Sequence, residues 1–110
     1  MIIVAIDEIN FAKASNIIDD LDCEKCMVKI GSISFNSIGN EIISYANSKG
    51  FDIFLDLKLH DIPNTIKKSI EGLISYPIKM LTIHISGGKD MMNAAVEAVS
   101  GTNIKIFGVT

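Results

Sequence analysis

Asp56-Leu57-Lys58-Leu59-His60-Asp61 sets two carboxylates and an ammonium at the end of an otherwise apolar run, Ile53-Phe54-Leu55. In an extended segment, side chains two apart share a face. Phe54, Asp56 and Lys58 therefore point one way, and Ile53, Leu55 and Leu57 the other. Burying opposite charges side by side is costly, and even a well-paired set often stabilises a fold no better than apolar residues would. Such a cluster needs a reason beyond stability. The reason these residue types supply is chemistry, with a carboxylate and an ammonium held ready where charge develops.

The elements that must carry this cluster repeat along the chain. Five short apolar runs, residues 2–6, 27–30, 53–57, 80–85 and 104–109, read as strands. They start roughly 25 residues apart, the spacing of strand–helix units. Amphipathic segments lie between them. The first has Phe11, Ala14, Ile18 and Leu21 on its apolar side, and the second Ile38, Ile42, Tyr45 and Ala46, with Gly50 as its stop. The third starts at Pro63, suited to a first helical turn, and runs through Ile66, Ile70, Leu73 and Ile74. The fourth uses Met92, Ala95, Val96 and Val99, with Asp90 near its start and Gly101 after its end.

Strands joined by single helices run parallel, and parallel sheets are covered on both faces. An open doubly wound sheet and part of a (β/α)8 barrel both fit this α/β order. The polar residues favour the barrel. Asp7, Lys29, Asp56 with Lys58, and His84 sit near the carboxyl ends of the first four strands. Ala5, Met27, Phe54 and Thr82 share their faces, while Ile6, Ile30, Leu57 and Ile85 lie opposite. Polar groups converging from successive strand ends describe a barrel mouth. No G-x-G-x-x-G or Walker-type loop occurs, and Ser86-Gly87-Gly88 is a weak anion signal. A full barrel needs roughly 200 residues or more, so the 110 residues are expected to form about its first half, one N-terminal portion without separate domains.

Composition narrows the partners. Net charge is -3, and aromatic content is 6% with no Trp. Nucleic acid and acidic membrane surfaces find little here to bind. Ile2-Ile3-Val4-Ala5-Ile6 follows Met1 without a basic region and is far too short to span a membrane. A cytoplasmic protein is expected. Cys23-Glu24-Lys25-Cys26 lacks a second ligand pair and reads as loop and packing residues, and His60 and His84 alone do not suggest a metal.

The run from Phe54 to Thr65, FLDLKLHDIPNT, resembles the signature of the orotidine 5'-phosphate decarboxylase family. Val4-Ala5-Ile6-Asp7, Lys29-Ile30-Gly31 and Thr82-Ile83-His84 with Ser86-Gly87-Gly88 are similar to its first, second and fourth strands, in the right order. The resemblance implies conversion of orotidine monophosphate to uridine monophosphate in pyrimidine synthesis, by a homodimer of barrels with no metal or organic cofactor. It implies Lys58 as proton donor to C6 of the pyrimidine, Asp56 beside the departing carboxylate, and Lys29 paired with Asp56 and touching the ribose. Asp7 would bind a ribose hydroxyl. Asp61 would complete the Lys29/Asp56/Lys58/Asp61 array, reaching with Ile62 and Thr65 into the partner's site.

Each residue also has a structural reading. Asp56 and Lys58 would be a satisfied ion pair, Asp7 a cap on the first helix, His60 a solvent-facing or backbone-orienting residue, and His84 a hydrogen-bonded barrel residue. The family's phosphate grip lies in later strands and includes an arginine, so the 110 residues alone are expected to be inactive or nearly so. Two alternatives remain. Magnesium-dependent sugar-phosphate relatives, 3-keto-L-gulonate 6-phosphate decarboxylase and hexulose-phosphate synthase, share D-x-K-x-x-D but carry an acidic residue where this chain has Lys29. The other is a non-catalytic half-barrel whose copies dock on their open faces.

Overall fold

The computed structural model describes residues 1–110. Strands β1 (Ile2–Ile6), β2 (Cys26–Gly31), β3 (Ile53–Leu59), β4 (Met80–His84) and β5 (Lys105–Val109) form one sheet in sequence order. Every neighbouring pair is parallel. Helices α1 (Phe11–Asp19), α2 (Ser32–Ile38), α3 (Asn40–Ser48), α4 (Pro63–Leu73) and α5 (Lys89–Ala98) connect the strands, with a single 3-10 turn at Ile85–Gly87. This is an α/β half-barrel. β1 and β5 are each paired on one side only.

The core is one layer between the sheet and the helices. Ile6, Val28, Ile30, Ile53, Leu55, Leu81 and Ile83 supply its sheet side. Ala14 and Ile18 of α1, Ile42, Ile43 and Ala46 of α3, and Ile66 and Ile70 of α4 supply the helix side. The strand residues alternate with those of the other face, as a period of two requires. That other face stays open: Ile3 and Phe107 are exposed, and Phe107 meets Phe54 at a ring separation of 6.2 Å.

Three local features depart from the expected pattern. The second amphipathic segment is two helices, because Gly39 takes φ +83, a left-handed conformation that ends α2 and lets α3 start at a new angle. In α5 the buried side is Met91, Ala95 and Ala98, with Val99 just past its end, whereas Val96 is exposed. Two helical stripes one residue apart compete there. Gly87 leaves room for the inward Met91: a Cβ on it would stand 2.1 Å from Met91 Sδ, so the 3-10 turn packs directly onto Met91. Ile85 belongs to that turn rather than to β4, and its side chain lies against Gly108, where a Cβ would stand 2.7 Å from Cγ1.

Candidate active site

Asp56 is buried on the open face of the sheet, and everything around it is arranged for its carboxylate. Lys58 Nζ donates to both of its oxygens at 2.9 Å. Lys29 Nζ, from the adjacent strand, stands 3.4 Å from Oδ2. The Thr82 hydroxyl donates to Oδ1 at 2.8 Å. Strand pairing sets this up, because Gly31 on β2 lies opposite Asp56, and Lys29 opposite Phe54. Gly31 has no side chain to fill the space between Asp7 and Asp56; a Cβ there would lie 3.6 Å from Asp7 Oδ1.

The backbone is bent to aim Lys58. Leu55 pairs with Leu81 and Leu59 with Ile83, so a step of four residues on β3 faces a step of two on β4. This irregularity re-aims a side chain in the manner of a β-bulge. Lys58 itself takes φ +49, and is the one residue other than glycine in the left-handed region. That conformation costs roughly 1–2 kcal/mol for a residue with a Cβ, and such strain collects at functional sites. The Lys58 N–H, displaced from regular pairing, donates to Thr82 Oγ1 at 2.9 Å.

Burial by itself pushes the Asp56 carboxyl upward, but the hydrogen bonds from Lys58 and Thr82, the Lys58 charge and Lys29 outweigh it. The net result lies below the ordinary aspartate value, and the group is a carboxylate. The Lys58 side chain is 46% exposed and that of Lys29 32%. The two ammoniums thus close a charged rim that solvent or a ligand reaches.

The sequence-derived candidates divide accordingly. Lys29, Asp56 and Lys58 come together. Asp61 forms no ion pair within 4.0 Å of either lysine; its Oδ1 accepts from the Ile62 N–H at 2.7 Å and shapes the turn before α4. Ile62 and Thr65 are exposed beside it. Asp7 does not cap α1, because Asn10 does so by accepting from the Lys13 N–H. His84 makes no side-chain hydrogen bond with the protein and instead lies with its ring 5.6 Å from that of His60. The C-x-x-C pair is unbridged, with Cys26 Sγ donating to Asp22 O. No group of three or more His, Cys, Asp or Glu side chains stands close enough to hold a metal ion. No helix is long and apolar enough to cross a membrane.

Two residues escaped the sequence reading. Thr82 stood out only as a face-mate of His84 and as part of the fourth-strand resemblance, with no role of its own, because a hydroxyl on an apolar strand carries little signal alone. Ser34, wholly buried in α2, bonds Ile6 O, Glu8 O and the Glu8 N–H, and so ties down the end of β1 on which Asp7 sits. Its partners are more than 25 residues away in sequence, at separations of 26 and 28.

Known proteins resemble this chain in sequence and in fold. The model of the orotidine 5'-phosphate decarboxylase / HUMPS family matches residues 1–110. An orotidine 5'-phosphate decarboxylase of Ehrlichia canis (strain Jake) is 45% identical over 109 residues, covering 99% of this chain and 48% of the relative. That of Wigglesworthia glossinidia brevipalpis is 46% identical over 111 residues, with coverage of 99% and 48%. Among solved structures, the orotidine 5'-phosphate decarboxylase of Lactobacillus acidophilus has a TM-score of 0.89 at 34% identity, covering 99% of this chain and 52% of that one. The orotidine 5'-monophosphate decarboxylase of Methanocaldococcus jannaschii, complexed with the inhibitor BMP, has a TM-score of 0.89 at 25% identity, covering 99% and 51%. The chain spans about half the length of the curated relatives it matches.

Proposed function

The chain belongs to the orotidine 5'-phosphate decarboxylase / HUMPS family, and from that premise we propose that it carries the charged half of a site that decarboxylates orotidine 5'-phosphate to uridine 5'-phosphate. The observation that carries this reading is the buried Asp56 carboxylate gripped by Lys58 and flanked by Lys29 at the carboxyl ends of parallel strands.

In the reaction, the bond from C6 of the pyrimidine to its carboxylate breaks, carbon dioxide leaves, and the electron pair stays on C6. No neighbouring group delocalises that pair, so fixed charge must stabilise it. The Lys58 ammonium stands at the rim, delivers its proton to C6, and is reprotonated from solvent. One ammonium about 4 Å from the developing charge supplies about 4 kcal/mol at an effective dielectric near 20. Enzymes lower barriers by roughly 8 to 23 kcal/mol. Ribose and phosphate contacts must therefore contribute remote binding energy. Lys29 and Asp7 take the ribose in this proposal, and the Asp56 carboxylate lies beside the departing carboxylate.

Asp61 and Ile62 just before α4 and Thr65 in its first turn are all exposed, and we assign them to the site of a second copy in a cytoplasmic homodimer. Asp61 then joins the charge array across the interface rather than within one chain. Residues 1–110 constitute the N-terminal portion of a single barrel, and turnover belongs to the complete barrel. Alone, the 110 residues lack the later strands of the relatives and are expected to be inactive or nearly so.

The test is an orotidine 5'-phosphate decarboxylation assay on the full-length polypeptide carrying residues 1–110, beside the 110-residue chain and a Lys58→Ala variant. Turnover by the full-length protein, abolished by Lys58→Ala and absent from the short chain, is the expected result. Full turnover by Lys58→Ala would sink the assignment of the proton donor. Turnover of a sugar phosphate that stops on adding a chelator would transfer the chain to its magnesium-dependent relatives.

A further inference from the structure

We propose that Thr82 is a positioning residue for the charge cluster, and that its hydroxyl holds the Lys58 backbone and the Asp56 carboxylate in one fixed relation. The inference rests on the decarboxylase reading for its kinetic consequence, but its geometric part stands on the cluster alone.

The direction of each bond is set by chemistry. Thr82 Oγ1 has one proton and free lone pairs. Ionised Asp56 only accepts, so the proton goes to Oδ1, at 2.8 Å. The Lys58 N–H only donates, so it takes a lone pair of the same oxygen, at 2.9 Å. Thr82 is 4% exposed, which leaves little room for water to substitute. One hydroxyl thus joins two residues whose relation decides where the Lys58 ammonium stands.

Both joints are needed. The irregular pairing of β3 with β4 displaces the Lys58 N–H from the regular ladder, and Thr82 supplies an acceptor. That contact helps keep Lys58 at φ +49. The contact to Oδ1 turns the carboxylate so that Oδ1 and Oδ2 both meet Lys58 Nζ, while Oδ2 also faces Lys29. A valine has nearly the same shape but bonds neither partner. The hydroxyl, rather than the bulk of the side chain, is what the site requires.

The experiment compares wild type, Thr82→Val and Thr82→Ser in the full-length protein by two readouts. One is kcat and KM for orotidine 5'-phosphate. The other is the Asp56 carboxyl titration, followed by carbon-13 NMR. Thr82→Val is expected to lower kcat about tenfold, the scale of one charge-assisted hydrogen bond, with KM nearly unchanged. The Asp56 titration should move upward in the same variant, and Thr82→Ser should restore both readouts. Unchanged titration and kcat in Thr82→Val, or a Thr82→Ser variant as impaired as the valine, would overturn the proposal. If no variant turns over substrate, wild type included, the decarboxylase reading fails and the titration still decides the role of Thr82. Should Thr82→Val fail to fold, hydrogen exchange at the wild-type Lys58 amide decides: slow exchange supports the bond, and exchange at the rate of a free amide refutes it.

Discussion

Replacing Asp56 by Asn removes one charge and almost no volume, and the response of stability to pH reports what that charge does. Asp56 faces Lys58 Nζ at 2.9 Å and Lys29 Nζ at 3.4 Å. At an effective dielectric near 20 each pair attracts by about 5 kcal/mol before any desolvation is counted. Taking the carboxylate out of water offsets much of that. Both lysines are about a third exposed or more, so water and salt screen them further. The net contribution of the charge is therefore about 1.5–3 kcal/mol, the range of hydrogen bonds to charged groups. The sign follows from the depressed carboxyl. An aspartate whose folded value lies below its unfolded value, about 3.9, stabilises the fold at pH above the unfolded value. That contribution is lost as pH falls through the folded value. Urea unfolding of wild type and Asp56→Asn should thus show the full difference near neutrality and a shrinking one below about pH 4. A difference that stays constant from pH 7 down to about pH 3, or an asparagine variant that is the more stable at neutrality, would refute the reasoning.

Three further outcomes are expected. Ser34→Ala strands the bonds that the end of β1 makes in the interior and should cost about 1–3 kcal/mol by chemical denaturation; a change below half a kcal/mol would deny Ser34 that part. Gly87→Ala drives a methyl into buried Met91 and should lower stability by about 1–3 kcal/mol, whereas Gly72→Ala, at a position with open space around it, should be neutral or slightly stabilising in the same melt. Lys29→Ala leaves Lys58 paired with Asp56 and should raise KM for orotidine 5'-phosphate more than it lowers kcat, as expected of a residue that binds the ribose; a loss confined to kcat would move Lys29 into the chemical step.

Periodicity in the residues was enough to read five strands and the amphipathic helices between them, because those features depend on neighbours two to four places away, and the strand–helix alternation then implied a parallel sheet. The twelve-residue run from Phe54 to Thr65 likewise carried the family resemblance locally. Tertiary structure alone decided what the run does in space. The register slip of β3 against β4 and the left-handed turn at Lys58 arise from sheet pairing, and no count along the chain contains them. Thr82 meets Asp56 across 26 positions, and Ser34 reaches Ile6 across 28. Asp61 lies five residues from Asp56 in sequence, yet it accepts from the Ile62 N–H and stays out of the cluster within the chain. The second amphipathic segment splits at Gly39, where the left-handed backbone ends α2, and α5 turns inward the Met91 that packs on Gly87. Periodicity records which faces are apolar, whereas backbone turns and pairings between residues far apart in sequence are fixed only when the chain is folded.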